Sequence, residues 1–153
     1  MKSELIENRI IVWDIEDSKK LFSEGYYGKP IGMPKPKIEE IDVPLILDLI
    51  EGYYLLEMKK ITITKLKQKI KTNEMIEICK KEVHDFEKKY IVYKNFRDKG
   101  YIINPGIKFG CDFAVYKKGP GITLASLTGY YWSLLRPDLK GLGITLDSLG
   151  GNY

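Results

Sequence analysis

The residues best suited to chemistry lie between Tyr90 and Ile122, where a helix end, two strands and a basic glycine turn are predicted in succession. Tyr116 ends the second predicted strand, and Lys117 and Lys118 follow it in a Lys-Lys-Gly-Pro-Gly turn. Cations lower the pKa of a nearby phenol, and lysine binds phosphate as a point charge. This arrangement is compatible with a phosphate site for RNA. The structural alternative is a tyrosine that caps the core edge beside a solvated turn, and residue types alone favour it.

The elements that would position Tyr116 follow from periodicity and turn chemistry. Tyr93 and Phe96 predict the last turns of an amphipathic helix, which Gly100 ends. The run YIIN predicts a short strand, Asn-Pro-Gly predicts a turn, and the alternation in IKFGCDFAVY predicts a half-buried strand. Lys108 and the turn lysines bracket this second strand, so we expect them to face the RNA.

The same stretch resembles the archaeal tRNA-splicing endonuclease (tRNA-intron endonuclease) family. The family carries Y-x-x-[LF]-R-x-x-G-[YF]-x-[VI], then G-[IL]-K-[FY]-G-x-D-F-x-[VL]-Y and a turn; the Gly-Pro-Gly turn resembles its two-subunit, heterotetrameric form. A Y-G-K-P-x-G segment matches further upstream. The matching residues are Tyr27, Gly28, Lys29, Pro30, Gly32, Tyr93, Phe96, Arg97, Gly100, Tyr101, Gly106, Lys108, Gly110, Asp112, Phe113 and Tyr116.

The resemblance implies cleavage of introns from precursor tRNA at bulge-helix-bulge sites, without a metal or other cofactor. A ribose 2′-hydroxyl would attack its own 3′-phosphate, leaving a 2′,3′-cyclic phosphate and a 5′-hydroxyl. Such a reaction needs a base, an acid at the leaving oxygen and a cation at the phosphate oxygens. In the family these groups are tyrosine, histidine and lysine. The family's tyrosine corresponds to Tyr116.

The chain departs from the family pattern after Thr123. The family's histidine position falls on Leu124 and its lysine position on Gly151, so this chain alone is predicted to be inactive. Two interpretations stay open: the chain is a structural subunit that positions a catalytic partner, or residues 124–153 do not represent the native C-terminus. An alternative of another class is a non-enzymatic RNA-binding or assembly protein with the same fold.

The rest of the chain predicts an N-terminal mixed α/β module and one long helix leading to the site. His84 lies among lysines on that helix and is predicted to face water. Residues 130–132 form a Tyr-Tyr-Trp cluster that could stack on bases or, more commonly, form an apolar strand or interface. The predicted elements are a strand at 8–14, a helix at 16–24 with Leu21 and Phe22 inward, a loop at 25–36, a helix from about Asp42 to Tyr54, a strand at 60–64, a linker at 65–71 and a helix at 72–99.

Composition limits the class of protein. A chain of 153 residues with 44% hydrophobic and 30% charged residues can form a core, but it is too short for a large multidomain enzyme. A net charge of +4 favours a polyanionic partner. Cys79 and Cys111 lack metal-site or disulfide spacing and are predicted to be reduced core residues. With no apolar run of about 20 residues, we expect a soluble, cytoplasmic protein without membrane partners.

The predicted fold class is α/β (α+β), with a small N-terminal domain at residues 1–66 and a C-terminal nuclease-like domain at 67–153, whose mixed sheet is flanked by helices. The second domain ends before the last strand of the family pattern, and its apolar residues between Leu124 and Leu149 exceed what a small module buries. An unpaired strand edge invites pairing with another chain. The predicted partners are precursor tRNA and a homologous subunit, in a homodimer or heterotetramer.

Overall fold

The computed structural model describes residues 1–34, 36–105, 112–117, 129–133 and 136–140. The chain divides into two compact units, Met1–Phe86 and Glu87–Tyr153. Helices and strands occur in both, which confirms the α+β class. The first unit contains β1 (Lys2–Ile6), β2 (Arg9–Val12), α1 (Ile15–Gly25), β3 (Lys29–Pro30), a 3₁₀ turn (Ile38–Glu40), β4 (Leu45–Leu47), α2 (Leu49–Glu57), β5 (Thr62–Lys65), β6 (Gln68–Ile70) and α3 (Thr72–Glu82). The second contains α4 (Phe86–Asp98, its first residue the last of the first unit), β7 (Tyr101–Pro105), β8 (Phe113–Lys117), β9 (Gly129–Ser133) and β10 (Arg136–Lys140).

The first unit is built on a six-stranded sheet in the order β3-β4-β2-β1-β5-β6. The β1–β5 pair is parallel and the other pairs are antiparallel. Alternate residues of the strands are buried, and Gly52 of α2 packs so closely on this face that a Cβ there would overlap Ile10. The predicted helix at 16–24 is confirmed as α1, with Leu21 and Phe22 in the core. The buried strand residues are Ser3, Leu5, Ile10, Val12, Pro30, Leu45, Leu47, Ile63 and Ile70.

The strands at 8–14 and 60–64 are confirmed as β2 and β5, but the prediction missed β1 and β6. In β1 the buried Ser3 and Leu5 alternate with outward residues, a period of two that indicates a strand. The linker predicted at 65–71 is wrong, because these residues form the β5–β6 hairpin. Its turn residues, Leu66 and Lys67, have φ of 50° and 66°, as a type I′ turn requires.

The helix predicted from Asp42 is wrong in its start. Residues 45–47 form β4, which pairs with β2, and α2 begins only after Asp48. Asp48 accepts a hydrogen bond from the Glu51 amide at 2.8 Å, and Glu51 accepts one from the Asp48 amide at 3.2 Å. This capping box fixes the helix start six residues later than predicted.

The loop predicted at 25–36 contains the two-residue strand β3 and a tight glycine turn. Gly28 has a φ of 71°, and a Cβ there would lie 2.6 Å from the Ile46 carbonyl oxygen. The Gly28 amide donates to the buried carboxylate of Glu51 at 2.8 Å. The start of α2 therefore also holds the chain that enters β3.

The single helix predicted at 72–99 is wrong. It is α3 and α4, separated at Val83–Asp85, where Asp85 has a φ of 52°. The helix α3 packs against α2 within the first unit, so it is not the packing helix of the second half. The chain consequently divides at Phe86, later than the boundary predicted at residues 66 and 67. Whether the domains separate as folding units at 66 and 67 stays a prediction.

Cys79 joins α3 to the start of α2. It is fully buried, and its Sγ lies 3.8 Å from the Leu49 carbonyl oxygen. Burial, with a smaller contribution from Asp48, raises the pKa of Cys79 to about 12. The prediction of a reduced core thiol is confirmed for this cysteine, while Cys111 lies outside the described residues.

Candidate functional site

The helix α4 supports the candidate site of the second unit. Val92, Tyr93 and Phe96 are buried at helical spacing, as the sequence predicts. The helix ends at Asp98, and Gly100, with a φ of 85°, donates its amide to the Arg97 carbonyl at 2.9 Å. The predicted glycine stop is confirmed, and it turns the chain directly into β7.

Arg97 ties this helix to the sheet. Only 7% of its surface is exposed; Nε donates to the Tyr93 hydroxyl at 3.0 Å and Nη2 to the Ile103 carbonyl of β7 at 3.2 Å. Its guanidinium also lies 5.4 Å from the Tyr93 ring centroid, and that ring lies 6.0 Å from the ring of Phe113 in β8. Sequence reasoning matched Arg97 to a motif without giving it a role. The signal was present, because Tyr93 and Arg97 are four residues apart on one helix face.

Tyr116 lies near the end of β8, inside the described sheet, whose order is β10-β9-β8-β7. It stands opposite Ile102 of β7 and Gly129 of β9, and it is half-buried. All pairs in this part of the sheet are antiparallel. Asp112, just before β8, lies 3.7 Å from the Lys89 amine of α4. Both ends of β8 are therefore held, so the Tyr116 backbone has a fixed register.

The cations predicted around Tyr116 are only partly described. The prediction that Lys117 begins the turn is wrong, because Lys117 is the last residue of β8 and pairs with Tyr101. Lys108 and Lys118 lie outside the described residues, as do Leu124 and Gly151. The assembly of these residues into one site stays a prediction.

Two neighbouring predictions concern the strands themselves. The strand predicted from YIIN is confirmed as β7, but the turn predicted to start at Asn104 is wrong at its start, because Asn104 and Pro105 still pair with β8. Residues 130–132 lie in β9, which confirms the strand interpretation of the aromatic cluster. Whether this cluster also stacks on bases stays a prediction.

His84 is the single histidine of the chain, and it belongs to the first unit, whereas Tyr116 belongs to the second. Its side chain is 88% exposed, and Nε2 lies 2.9 Å from an Asp85 carboxylate oxygen. The prediction of a surface histidine is confirmed. No histidine of this chain therefore belongs to the unit that carries Tyr116.

The two units differ in charge. In residues 1–86 acidic residues narrowly outnumber basic ones, whereas residues 87–153 contain twice as many basic as acidic residues. The positive net charge of +4 therefore comes from the second unit. In the described part of the chain, no helix is long and apolar enough to cross a membrane.

The chain matches two family models and several known proteins along most of its length. Residues 1–76 match the N-terminal domain of tRNA intron endonucleases, and residues 86–131 match their catalytic C-terminal domain. A tRNA-splicing endonuclease of Sulfurisphaera tokodaii is 44% identical over 123 residues, covering 80% of this chain and 68% of that protein. One from Pyrobaculum islandicum is 37% identical over 155 residues, covering 99% and 82%.

The chain belongs to the tRNA intron endonuclease family. The resemblance read from the motifs is confirmed, and the tRNA intron endonucleases are a family of tRNA-processing enzymes. The match to their catalytic domain begins at the first residue of α4 and includes β7, β8 and Tyr116. The α4-to-β8 stretch thus lies in the part of this chain that corresponds to the family's catalytic domain.

Proposed function

We propose that the chain is a subunit of a tRNA-splicing endonuclease assembly that removes introns from precursor tRNA at bulge-helix-bulge sites. The cut proceeds without a metal and leaves a 2′,3′-cyclic phosphate and a 5′-hydroxyl. In this proposal the chain provides the fold and the RNA-facing cations of its second unit. A homologous partner subunit, which has the histidine and lysine, performs the chemistry.

The observation that carries a non-catalytic role is the position of the only histidine. Proton donation to the leaving 5′-oxygen needs a group that titrates near neutral pH, and histidine is the usual one. His84 is a surface residue of the first unit. Leu124 has no proton to donate, and Gly151 has no side chain to carry a cation. Tyr116 is left as the one member of the family's set, and a tyrosine alone has a pKa near 10.

The observation that supports RNA as the partner is the charge of the second unit. Basic residues there are twice as many as acidic ones, and phosphate contacts supply much of the affinity for nucleic acid. The shape of RNA helices, rather than their base sequence, is what a protein reads across the accessible groove. A basic unit on a rigid sheet suits that mode of recognition.

The proposal is tested by reconstitution. The chain is mixed with a homologous endonuclease subunit that has histidine and lysine at the two family positions, and sedimentation at micromolar concentration measures assembly. We expect a mixed dimer or tetramer that cuts a precursor tRNA in EDTA, with cyclic phosphate ends on mapped products. A chain that stays monomeric in the mixture, or an assembly that binds precursor tRNA without cutting it, would instead support the non-enzymatic RNA-binding alternative.

A second measurement addresses the turn lysines. Replacing Lys117 and Lys118 by alanine should reduce the slope of log K against log salt for precursor tRNA by about one to two, since each lost phosphate contact removes slightly less than one counterion. The matched control replaces Lys88 and Lys99, two exposed lysines of the same unit, and should leave the slope unchanged. Equal slopes for both variants would show that Lys117 and Lys118 do not contact the RNA phosphates.

A further inference from the structure

The six-stranded sheet of the first unit has a second face, opposite the buried one. Register places one residue from each strand in a continuous row across it, and all six are half-buried or exposed. We call this surface the outer sheet face. The row runs Lys29, Ile46, Ile11, Glu4, Thr64 and Lys69.

Trp13 lies on the outer sheet face. It follows β2 in the same alternation as Ile11, and its Nε1 donates to a Glu4 carboxylate oxygen at 3.4 Å. Its surface is 52% exposed, which is unusual for so large an apolar side chain. The hydrogen bond therefore anchors the edge of an indole that remains open to a ligand.

Four cations lie on the same face as this tryptophan. Lys2 and Arg9 alternate onto the same face as Glu4 and Ile11, and Lys29 and Lys69 end the row. All four are exposed, against the single carboxylate of Glu4, which the Trp13 indole already contacts. The first unit as a whole is slightly acidic. The strand residues of the outer sheet face are thus positively charged, although the unit that carries them is not.

We infer that the outer sheet face binds the phosphate backbone of the precursor tRNA body, outside the cleavage helix, with Trp13 stacking on an unpaired base. This inference rests on the proposed function. An exposed aromatic ring on a face that also carries cations is the arrangement that single-stranded RNA segments bind. An acidic protein would satisfy the charges but would leave the indole without a stacking base.

The width of the outer sheet face favours a large, rigid ligand. Neighbouring strands lie about 4.8 Å apart, so Lys29 and Lys69 are separated by roughly 24 Å along the sheet. Cations at both ends of such a row can contact phosphates that are far apart on a folded RNA. A short acidic peptide would reach only part of the row.

The test uses the full chain and two RNA probes, a complete precursor tRNA and a minimal bulge-helix-bulge duplex. A triple variant with Arg9, Lys29 and Lys69 replaced by alanine removes three cations from the face. Its affinity for the precursor tRNA should depend less on salt. The fold loss of affinity between 50 and 200 mM salt should be roughly twenty- to forty-fold smaller for the variant than for the unmodified chain. The control replaces Lys20, Lys37 and Lys81, exposed lysines elsewhere in the same unit, with the same change in net charge.

The tryptophan is tested separately. Trp13→Ala should weaken binding of the precursor tRNA by about five-fold or more, because stacking on one base contributes at least that much, whereas Trp13→Phe should stay within about two-fold. Neither variant should alter binding of the minimal duplex. Both substitutions are at an exposed position, and thermal melts check that the variants fold.

The inference is overturned if the triple variant and its control bind the precursor tRNA alike, or if the loss is the same for the minimal duplex. Binding of polyglutamate that depends on these cations but not on Trp13 would assign the face to an acidic protein and also overturn it. These binding results do not depend on cleavage. Failure of the proposed function would appear instead as an assembly that cuts neither RNA.

Discussion

Alone, the chain is expected to cleave a bulge-helix-bulge RNA at least about 10⁴-fold more slowly than an assembly with a homologous subunit that has the histidine and lysine. A positioned general acid contributes about 10²–10⁴ in rate, and a group that stabilises the transition-state charge contributes about 10²–10³. Under the proposed function, Leu124 and Gly151 occupy the positions of those groups, and this chain supplies neither. Single-turnover cleavage of labelled RNA in EDTA measures the difference.

Substitution of Tyr116 separates the two interpretations of this result. If the partner performs the chemistry, Tyr116→Phe in the assembly should change the rate less than about two-fold, while the same substitution at the partner's tyrosine should cost a large part of the 10²–10⁴ of general base catalysis. Rapid cleavage by the single chain, lost on Tyr116→Phe, would contradict the structural-subunit proposal. His84→Gln is the control for an unexpected histidine role and should leave the assembly unaffected, since His84 is a surface residue.

The second large effect is on stability. Gly28→Ala should lower the free energy of unfolding by about 3 kcal/mol or more, because its Cβ would meet the Ile46 carbonyl oxygen and the φ of 71° already strains an alanine. The neighbouring atoms are backbone and buried leucine side chains of β4, which cannot move without opening the β2–β4–β3 pairing. Urea unfolding at neutral pH measures the loss.

Gly32 provides a matched control. Its φ of 73° is nearly the same, but a Cβ there would meet no atom within 4 Å. Gly32→Ala should therefore lower the free energy of unfolding by only about 1–2 kcal/mol, the cost of placing alanine at a positive φ. If the two variants lose equal stability, close packing at Gly28 is not the reason that glycine is needed there.

Residue types and their spacing made much of the candidate site predictable from the sequence. Tyr93, Phe96 and Gly100 carry helical spacing and a positive-φ stop within a few residues, so the end of α4 and the start of β7 follow from sequence. Alternation likewise placed Tyr116 near a strand end, although β8 continues one residue further, to Lys117. The contact of Arg97 with Ile103 could not be deduced, because it depends on how α4 packs on the sheet.

The helices and strands that were predicted wrongly depend on contacts between segments distant in sequence. Val83 continues the apolar spacing of α3, so the sequence does not reveal the break before α4. The backbone does, since Val83 is extended and Asp85 has a positive φ, an uncommon conformation for a residue other than glycine. Asp42 and Asp48 are both acceptable caps by residue type, and pairing of β4 with β2 selects the second. The prediction missed β1 because its sequence contains charged residues. In the structure, β1 is a central strand, paired with β2 on one side and β5 on the other.

The central place of β1 in its sheet constrains the order of folding during synthesis. The β1–β2 hairpin can form as soon as both strands leave the ribosome, but the parallel partner begins at Thr62, which pairs with Lys2. At about 5–20 residues per second, β1 waits several seconds with one edge unpaired. Open edges recruit other chains. Slower synthesis between β2 and β5 should therefore increase aggregation of the nascent chain, whereas slower synthesis after the β5–β6 hairpin should have little effect.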